Sequence, residues 1–342
     1  MAKRLVVFNH KGGVSKTTSA YNIGWTMART SRVLLVDADP QCNLTGLILG
    51  DDFEKYYTED ATKNQNIKDG VSATFDGKPI PITPVSCASP GRAPNLFLLA
   101  GHANLSEYDA ALTFAQTSNN AITTLQNLPG AFAELLRLTE EKYGIDYTII
   151  DLNPGLSAIN QNLFLISNAF IIPTNPDPFS IMALETLTTV LPRWVSWKKS
   201  AVDLFANSAY PLPAGIPTFV GVLIQRFNIR KGRAAKPYRD NIGEIKTKVA
   251  TTVYTAWTAA GMTLPPPEYE GIADEAFCLG EIPDFQGLLP KSYDAGVPVF
   301  ELSDDEINET GPILEGFQQR RAYFRNQFDE ISAKIVAILA HV

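Results

Sequence analysis

Leu5-Val6-Val7-Phe8-Asn9-His10-Lys11-Gly12-Gly13-Val14-Ser15-Lys16-Thr17-Thr18 decides the fold, because an apolar run passes here straight into two glycines and a Lys-Thr pair. The run Leu5–Phe8 reads as a buried strand, and a helix is predicted to open at about Lys16. Backbone N–H groups converge at a helix N-terminus and its dipole favours negative charge, so the loop between can hold a phosphate. Gly12 and Gly13 let the backbone approach the anion without a Cβ in the way. Val14, Ser15 and Thr18 complete the cradle. In this pattern Lys16 reaches the β- and γ-phosphates and the Thr17 hydroxyl binds Mg²⁺. The strict form GxxxxGK[ST] fails twice, at His10 and Ser15. The deviant form KGGxGK[ST], with the extra lysine Lys11, fails only at Ser15. If that position needs a positive φ, serine costs about 1 kcal/mol relative to glycine. Alone, Gly-Gly-x-x-Lys-Thr could be a chance turn; strand before and helix after are what give it meaning.

Two acidic motifs lie downstream. Val33–Val36 ends in Asp37-Ala38-Asp39-Pro40-Gln41, and Tyr147–Ile150 ends in Asp151-Leu152-Asn153-Pro154-Gly155. Acids at the carboxyl ends of parallel strands face the crevice where such sheets bind ligands. There a strand-end acid of the Asp37–Asp39 motif can hold Mg²⁺ through water or orient an attacking water, although an acidic turn closed by proline is the plainer reading of that motif alone, and Asp151 can hold the Mg²⁺ shell. Further apolar runs, Leu96–Leu99, Phe170–Ile172 and Phe219–Ile224, are continuous rather than alternating, as in strands covered on both faces. Helical stretches fall between. Ala20, Ile23, Gly24 and Met27 keep the spacing of one buried stripe. Ser180 is read as the cap of a helix carrying Ile181, Leu184, Leu187 and Leu191, with Pro192 bending or ending it. The fold class predicted is α/β: a P-loop NTPase with a doubly wound, mostly parallel sheet flanked by helices.

The 342 residues, 45% apolar and 19% charged, suit a compact core. Pro-rich stretches at 51–95 and 200–217 read as surface excursions from one domain spanning 1–342, with a C-terminal helix near 315–342. Met1–Arg4 and the following run resemble a truncated signal peptide, but the run feeds the phosphate loop and reads better as a core strand. Three scattered cysteines predict a reducing cytoplasm without a disulfide framework or CxxC metal site. No run approaches the roughly 20 apolar residues needed to cross a bilayer.

Lys11–Thr18, Val33–Thr45, Asn95–Glu107, Tyr147–Gly155 and Ile282–Val299 together resemble the ParA/MinD family of partition and positioning ATPases, more closely ParA. The resemblance implies that Lys11 crosses to a partner subunit's phosphates in an ATP-sandwich homodimer. It makes Lys16 and Thr17 the phosphate and Mg²⁺ residues, Asp39 the residue positioning the hydrolytic water, and Asp151 the Walker B acid. Gln225-Arg226 stand where the family has Asn-Arg near the adenine, and Pro283 belongs to the family's Ile-Pro segment in the same region. ATP and Mg²⁺ are the implied ligands. A ParB-like or other adaptor that stimulates hydrolysis is the implied partner, and the ATP-bound form is expected on the nucleoid.

From Gln225 to Lys248, Arg226, Arg230, Lys231, Arg233, Lys236, Arg239, Lys246 and Lys248 face only Asp240 and Glu244, in a chain whose net charge is −7. Such segregation is a candidate footprint for the phosphate backbone of non-specific DNA, which Arg320, Arg321 and Arg325 extend if the last helix lies alongside. A solvated helix face is the plainer reading, and no helix-turn-helix pattern appears. Phe328, Ile331, Ile335 and Leu339 form a helical stripe with only Lys334 beside it, too little charge for a membrane helix. The same engine could instead position a non-DNA cargo or serve another operon-encoded system. A nitrogenase-iron-protein-like reductase lacks its cysteines here, and a biosynthetic P-loop ligase or kinase would not need Lys11.

Overall fold

The computed structural model describes residues 2–117, 125–230 and 233–342. Its centre is a seven-stranded, all-parallel sheet. In chain order the strands are β1 (Lys3–Val7), β2 (Val33–Ala38), β3 (Leu96–Leu99), β4 (Tyr147–Leu152), β5 (Ala169–Thr174), β6 (Thr218–Gln225), β7 (Ile229–Arg230), β8 (Arg233–Ala234) and β9 (Cys278–Ile282). The sheet runs β3-β2-β4-β1-β5-β6-β9, while β7 and β8 form a separate two-stranded antiparallel ladder.

The order explains the two helix layers. The chain leaves β1 through the Lys16–Met27 helix and crosses one way to β2; it leaves β4 through Ala158–Leu165 and crosses the other way to β5. Both crossovers must be right-handed, so the helices fall on opposite faces and a crevice opens at the strands' carboxyl ends where direction reverses. Lys16–Met27 packs against the sheet and against Gly311–Leu339, which covers β6 and β9. Leu128–Tyr143, Ala158–Leu165, Pro178–Leu204 and Tyr254–Ala260 pack on one another in succession. The predicted stripe on the first helix is buried, and a Cβ on Gly24 would come within 2.6 Å of Leu35, so this glycine seats the helix on β2.

The cores of β2, β3, β4, β5 and β6 are continuous buried runs, as their composition requires. The sequence does not announce the short β7 and β8, nor β9 within the main sheet. Gly280 and Glu281 dilute the apolar signal of β9, and a Cβ on Gly280 would come within 2.8 Å of Ile331 of the last helix. Two helix readings need correction. Asp177, not Ser180, is the N-cap of Pro178–Leu204; its side chain accepts from the Ser180 backbone N–H. Pro192 does not end the helix, which runs on to Leu204.

The 51–95 stretch buries Ile67, Val71, Ile82 and Val85, and Ala88 pairs with Leu98 across the edge of β3. The 200–217 stretch lays Tyr210 over Gly130, and the Tyr210 hydroxyl accepts from the Ile82 backbone N–H at 2.9 Å. Phe328, Ile331, Ile335 and Leu339 are all buried against the chain itself. No helix among the described residues is long and apolar enough to cross a membrane.

Candidate functional site

The sheet order brings the three sequence motifs to one place. β4 lies between β1 and β2, with Val7 and Asp37 both in register with Asp151. The strand-end acids therefore meet directly beneath the loop that leaves β1. A cleft of about 1120 Å³ opens there, lined by Gly13–Thr18, Asp39, Asn153, Pro154, Gln225, Arg226, Pro283 and, towards its outer end, Phe285 and Tyr293.

The loop takes the left-handed backbone at two positions, one of them not a glycine. Gly13 has φ 72°, and Ser15 caps the helix in the left-handed region at φ 62°, ψ 34°. Gly12 stacks on Pro154, which a Cβ at that position would meet at 3.8 Å. Gly155, in the loop after β4, takes φ 123°. Lys16 is buried, its Nζ reaching the Lys11 carbonyl oxygen at 3.3 Å. Burial lowers its pKa, with Asp151 and Asp39 pulling it back up.

The acids divide by environment. Asp37 is wholly buried and its Oδ2 accepts from the Thr45 backbone N–H at 2.8 Å and the Thr45 hydroxyl at 2.7 Å. Burial nevertheless pushes its pKa up to about 6. Asp39 is nearly buried on the cleft wall, where one oxygen accepts from the Gln41 N–H at 2.9 Å. Asp151 is 1% exposed and, among the described residues, neither of its oxygens has a partner at hydrogen-bond geometry, the Thr17 hydroxyl lying just outside it. Burial and then the Asp37 carboxylate drive its pKa well above the usual carboxylate range, opposed by the Thr17 hydroxyl and Lys16. A buried carboxylate with both oxygens orphaned calls for an ion or water. A hard divalent cation with oxygen ligands meets that need, and Mg²⁺ takes only one or two carboxylates from a protein, the rest from phosphates and water. Thr17, Asp39 and Asp151 fit that set. No cluster of three or more His, Cys, Asp or Glu residues suited to a metal occurs among the described residues.

Lys11 has a partner that the sequence does not reveal. Its Nζ donates to both Asp177 oxygens at 2.6 and 2.8 Å and to the Ser180 hydroxyl at 2.8 Å. Asp177 is at once this lysine's counter-ion and the cap of the Pro178–Leu204 helix. Burial would raise its pKa, but the bonds from Lys11 and the Ser180 N–H hold it below its ordinary value. Asp followed by Pro at the first helical position was a readable cap signal; the reach to Lys11 was not. Asn175 was also missed: its Nδ2 donates to the Gly13 carbonyl at 3.0 Å.

Gln225 and Arg226 line the cleft, but both side chains bond to the phosphate loop and its helix. The basic segment divides. Lys246 pairs with Glu281 at 2.6 Å and Lys248 pairs with Glu185. Lys236 and Arg239 are exposed and form no ion pair among the described residues. Arg230 and Arg233 stand opposite each other in the β7–β8 ladder, and Lys231 between them lies outside the described residues. Arg321 is held by Asp304 at 2.9 Å and by the Leu302 carbonyl, Arg325 by the Phe300 carbonyl at 2.7 Å. Arg320 lies over the Phe317 ring, 5.2 Å from its centroid.

Residues 2–202 match the family model described as AAA domain. The chain is 28% identical over 190 residues to a virulence plasmid ParA family protein of Chlamydia psittaci, covering 54% of this chain and 61% of that protein. It is likewise 28% identical over 191 residues to the chromosome partitioning protein ParA of Caulobacter vibrioides, covering 55% and 62%. The matched span is thus less than two thirds of the length of these curated relatives. Among solved structures, a Corynebacterium diphtheriae protein superposes with TM-score 0.64 at 21% identity, over 86% of this chain and 97% of that one. pNOB8 ParA bound to nonspecific DNA gives TM-score 0.55 at 19% identity, over 100% and 99%. At such identities the structures speak for the fold.

Proposed function

Since the chain belongs to the AAA domain family and is similar to ParA partition proteins, we propose that it is an ATP-driven switch that pairs with a second copy of itself on ATP, hydrolyses it slowly and, while paired, holds DNA non-specifically for partition. The observation that carries the reading is the convergence of a helix-mounted Lys16-Thr17 pair on a buried Asp151 whose two oxygens lack partners at hydrogen-bond geometry among the described residues. That arrangement suits a triphosphate with a divalent cation.

In this reading the backbone of Gly12–Thr18 and the Lys16 ammonium bind the phosphates, and the Thr17 hydroxyl, Asp39 and Asp151 hold the cation's shell directly or through water. Mg²⁺ would supply charge neutralisation on the β- and γ-phosphate oxygens. Asp39, at the cleft wall, orients the attacking water. The loose transition state of phosphoryl transfer rewards added positive charge more than covalent help, which Lys11 of the second copy provides. Because that lysine comes in trans, pairing depends on the γ-phosphate and ends when it is cleaved. The seven-stranded sheet with its contiguous core among the described residues supports reading 1–342 as one ATPase domain.

Support for DNA as cargo is the exposed Lys236 and Arg239 beside the Arg230–Arg233 ladder, together with the DNA-bound relative. With ATP and Mg²⁺ present, affinity for random duplex DNA should fall steeply with salt, since each neutralised phosphate adds about −0.9 to the log–log slope. Lys236→Glu with Arg239→Glu should flatten that slope without altering ATP binding. ATP-dependent pairing with no DNA affinity at low salt would favour the second task, positioning a non-DNA cargo.

A further inference from the structure

Gln225 and Arg226 occupy the place expected to contact the base, yet their side chains turn to the phosphate end. Gln225, 2% exposed, donates from Nε2 to the Ser19 hydroxyl at 2.6 Å. That hydroxyl donates to the Ser15 carbonyl at 2.7 Å. Arg226 donates from a guanidinium nitrogen to the Gly13 carbonyl at 3.0 Å, beside Asn175 at the same distance. The two carbonyls gripped in this way belong to the two loop residues at positive φ, Gly13 and Ser15. Arg226 is itself at φ 61°, a posture unfavourable for arginine that its surroundings must impose; its backbone N–H donates to Ile282 O at 3.0 Å.

A trans peptide directs its N–H opposite to its C=O. Pulling the Gly13 oxygen towards the ends of β5 and β6 turns the Val14 N–H away from them, to the phosphate side of the loop. Anchoring the Ser15 oxygen within the helix likewise aims the Lys16 N–H out of its N-terminus. We propose that Gln225, Arg226 and Asn175 are positioning residues that brace the phosphate loop of this chain, acting on the triphosphate end of the ligand and not on its base. The brace rests on the nucleotide-binding reading above, and it gives the departure at Ser15 a physical counterpart: donors outside the loop hold a backbone that serine does not adopt by preference.

The test is calorimetric titration of the full chain, with Mg²⁺, using ATP, GTP and inorganic tripolyphosphate. The variants are Gln225→Ala, Asn175→Ala and Arg226→Asn, asparagine being tolerant of the left-handed backbone. Each should weaken all three ligands alike, by roughly fivefold for one lost hydrogen bond. In the ligand-free chain, amide exchange at residues 12–16 should quicken while the melting temperature holds. A loss confined to ATP, with tripolyphosphate binding and loop exchange unchanged, would overturn the brace in favour of base reading. Unchanged affinity for every ligand would overturn it as well. If the wild-type chain binds none of the three, the nucleotide reading fails, and the exchange comparison still decides whether the loop is braced.

Discussion

Ser15 holds a left-handed backbone at the start of its helix, and this much was legible, since the family pattern places glycine there and glycine is the residue that takes φ > 0 without strain. The partner of Lys11 was not legible. Asp177 lies on a distant element, and nothing in a linear pattern couples a loop lysine to a cap on another helix. Lys198 carries no signal in the sequence. It is 2% exposed on the Pro178–Leu204 helix, its ammonium bonded to the Leu165 carbonyl, and burial lowers its pKa from 10.5 to about 8. Between those two values the unfolded chain binds more protons than the native one, so stability should rise as pH goes from about 8 to 10.5, by an amount on the order of 3 kcal/mol. Lys198→Met should remove that rise from the denaturant midpoint measured across this range. An identical pH dependence in both proteins would show that the native lysine titrates normally.

Elements are legible where their apolar periodicity is strong and hidden where packing overrides it. β2 and β4 announce themselves as unbroken apolar runs ending in aspartate. β9 does not, because a glycine demanded by Ile331 and a half-exposed glutamate sit in its middle. The start of the Pro178–Leu204 helix separates two jobs of one carboxylate. Asp177→Asn keeps a good cap but loses the charge, so global stability should hold within about 0.5 kcal/mol while Lys11 is freed. Asp177→Ala loses the cap as well and should cost about 1 kcal/mol. Reductive methylation followed by mass spectrometry should find Lys11 more reactive in both variants than in the wild type. Equal reactivity in all three would mean that the Lys11–Asp177 bond does not persist in solution.

At the scale of the whole molecule, strand order does what no single motif can: it sets Asp151 between β1 and β2, so that the glycine-rich loop, Asp151 and Asp39 share one crevice. The order of the motifs along the chain foretold this, since each ends a strand. The packing of the two proline-rich stretches was not foretold, because Gly130 shows no signal in the sequence. A Cβ there would lie 1.9 Å from the Tyr210 carbonyl oxygen. Gly130→Ala must therefore displace backbone, and should cost about 2 kcal/mol or more in chemical denaturation. No measurable change would mean that the 200–217 stretch does not rest on this helix.

The account turns on a lysine that one copy lends to another. Sedimentation velocity of the wild-type chain and of Lys11→Ala, each saturated with Mg²⁺ and a non-hydrolysable ATP analogue, tests this most directly. The expected result is a wild-type dimer and a Lys11→Ala monomer that still binds the analogue through Lys16. A wild-type chain that stays monomeric at saturation, or a Lys11→Ala chain that dimerises equally well, would contradict it.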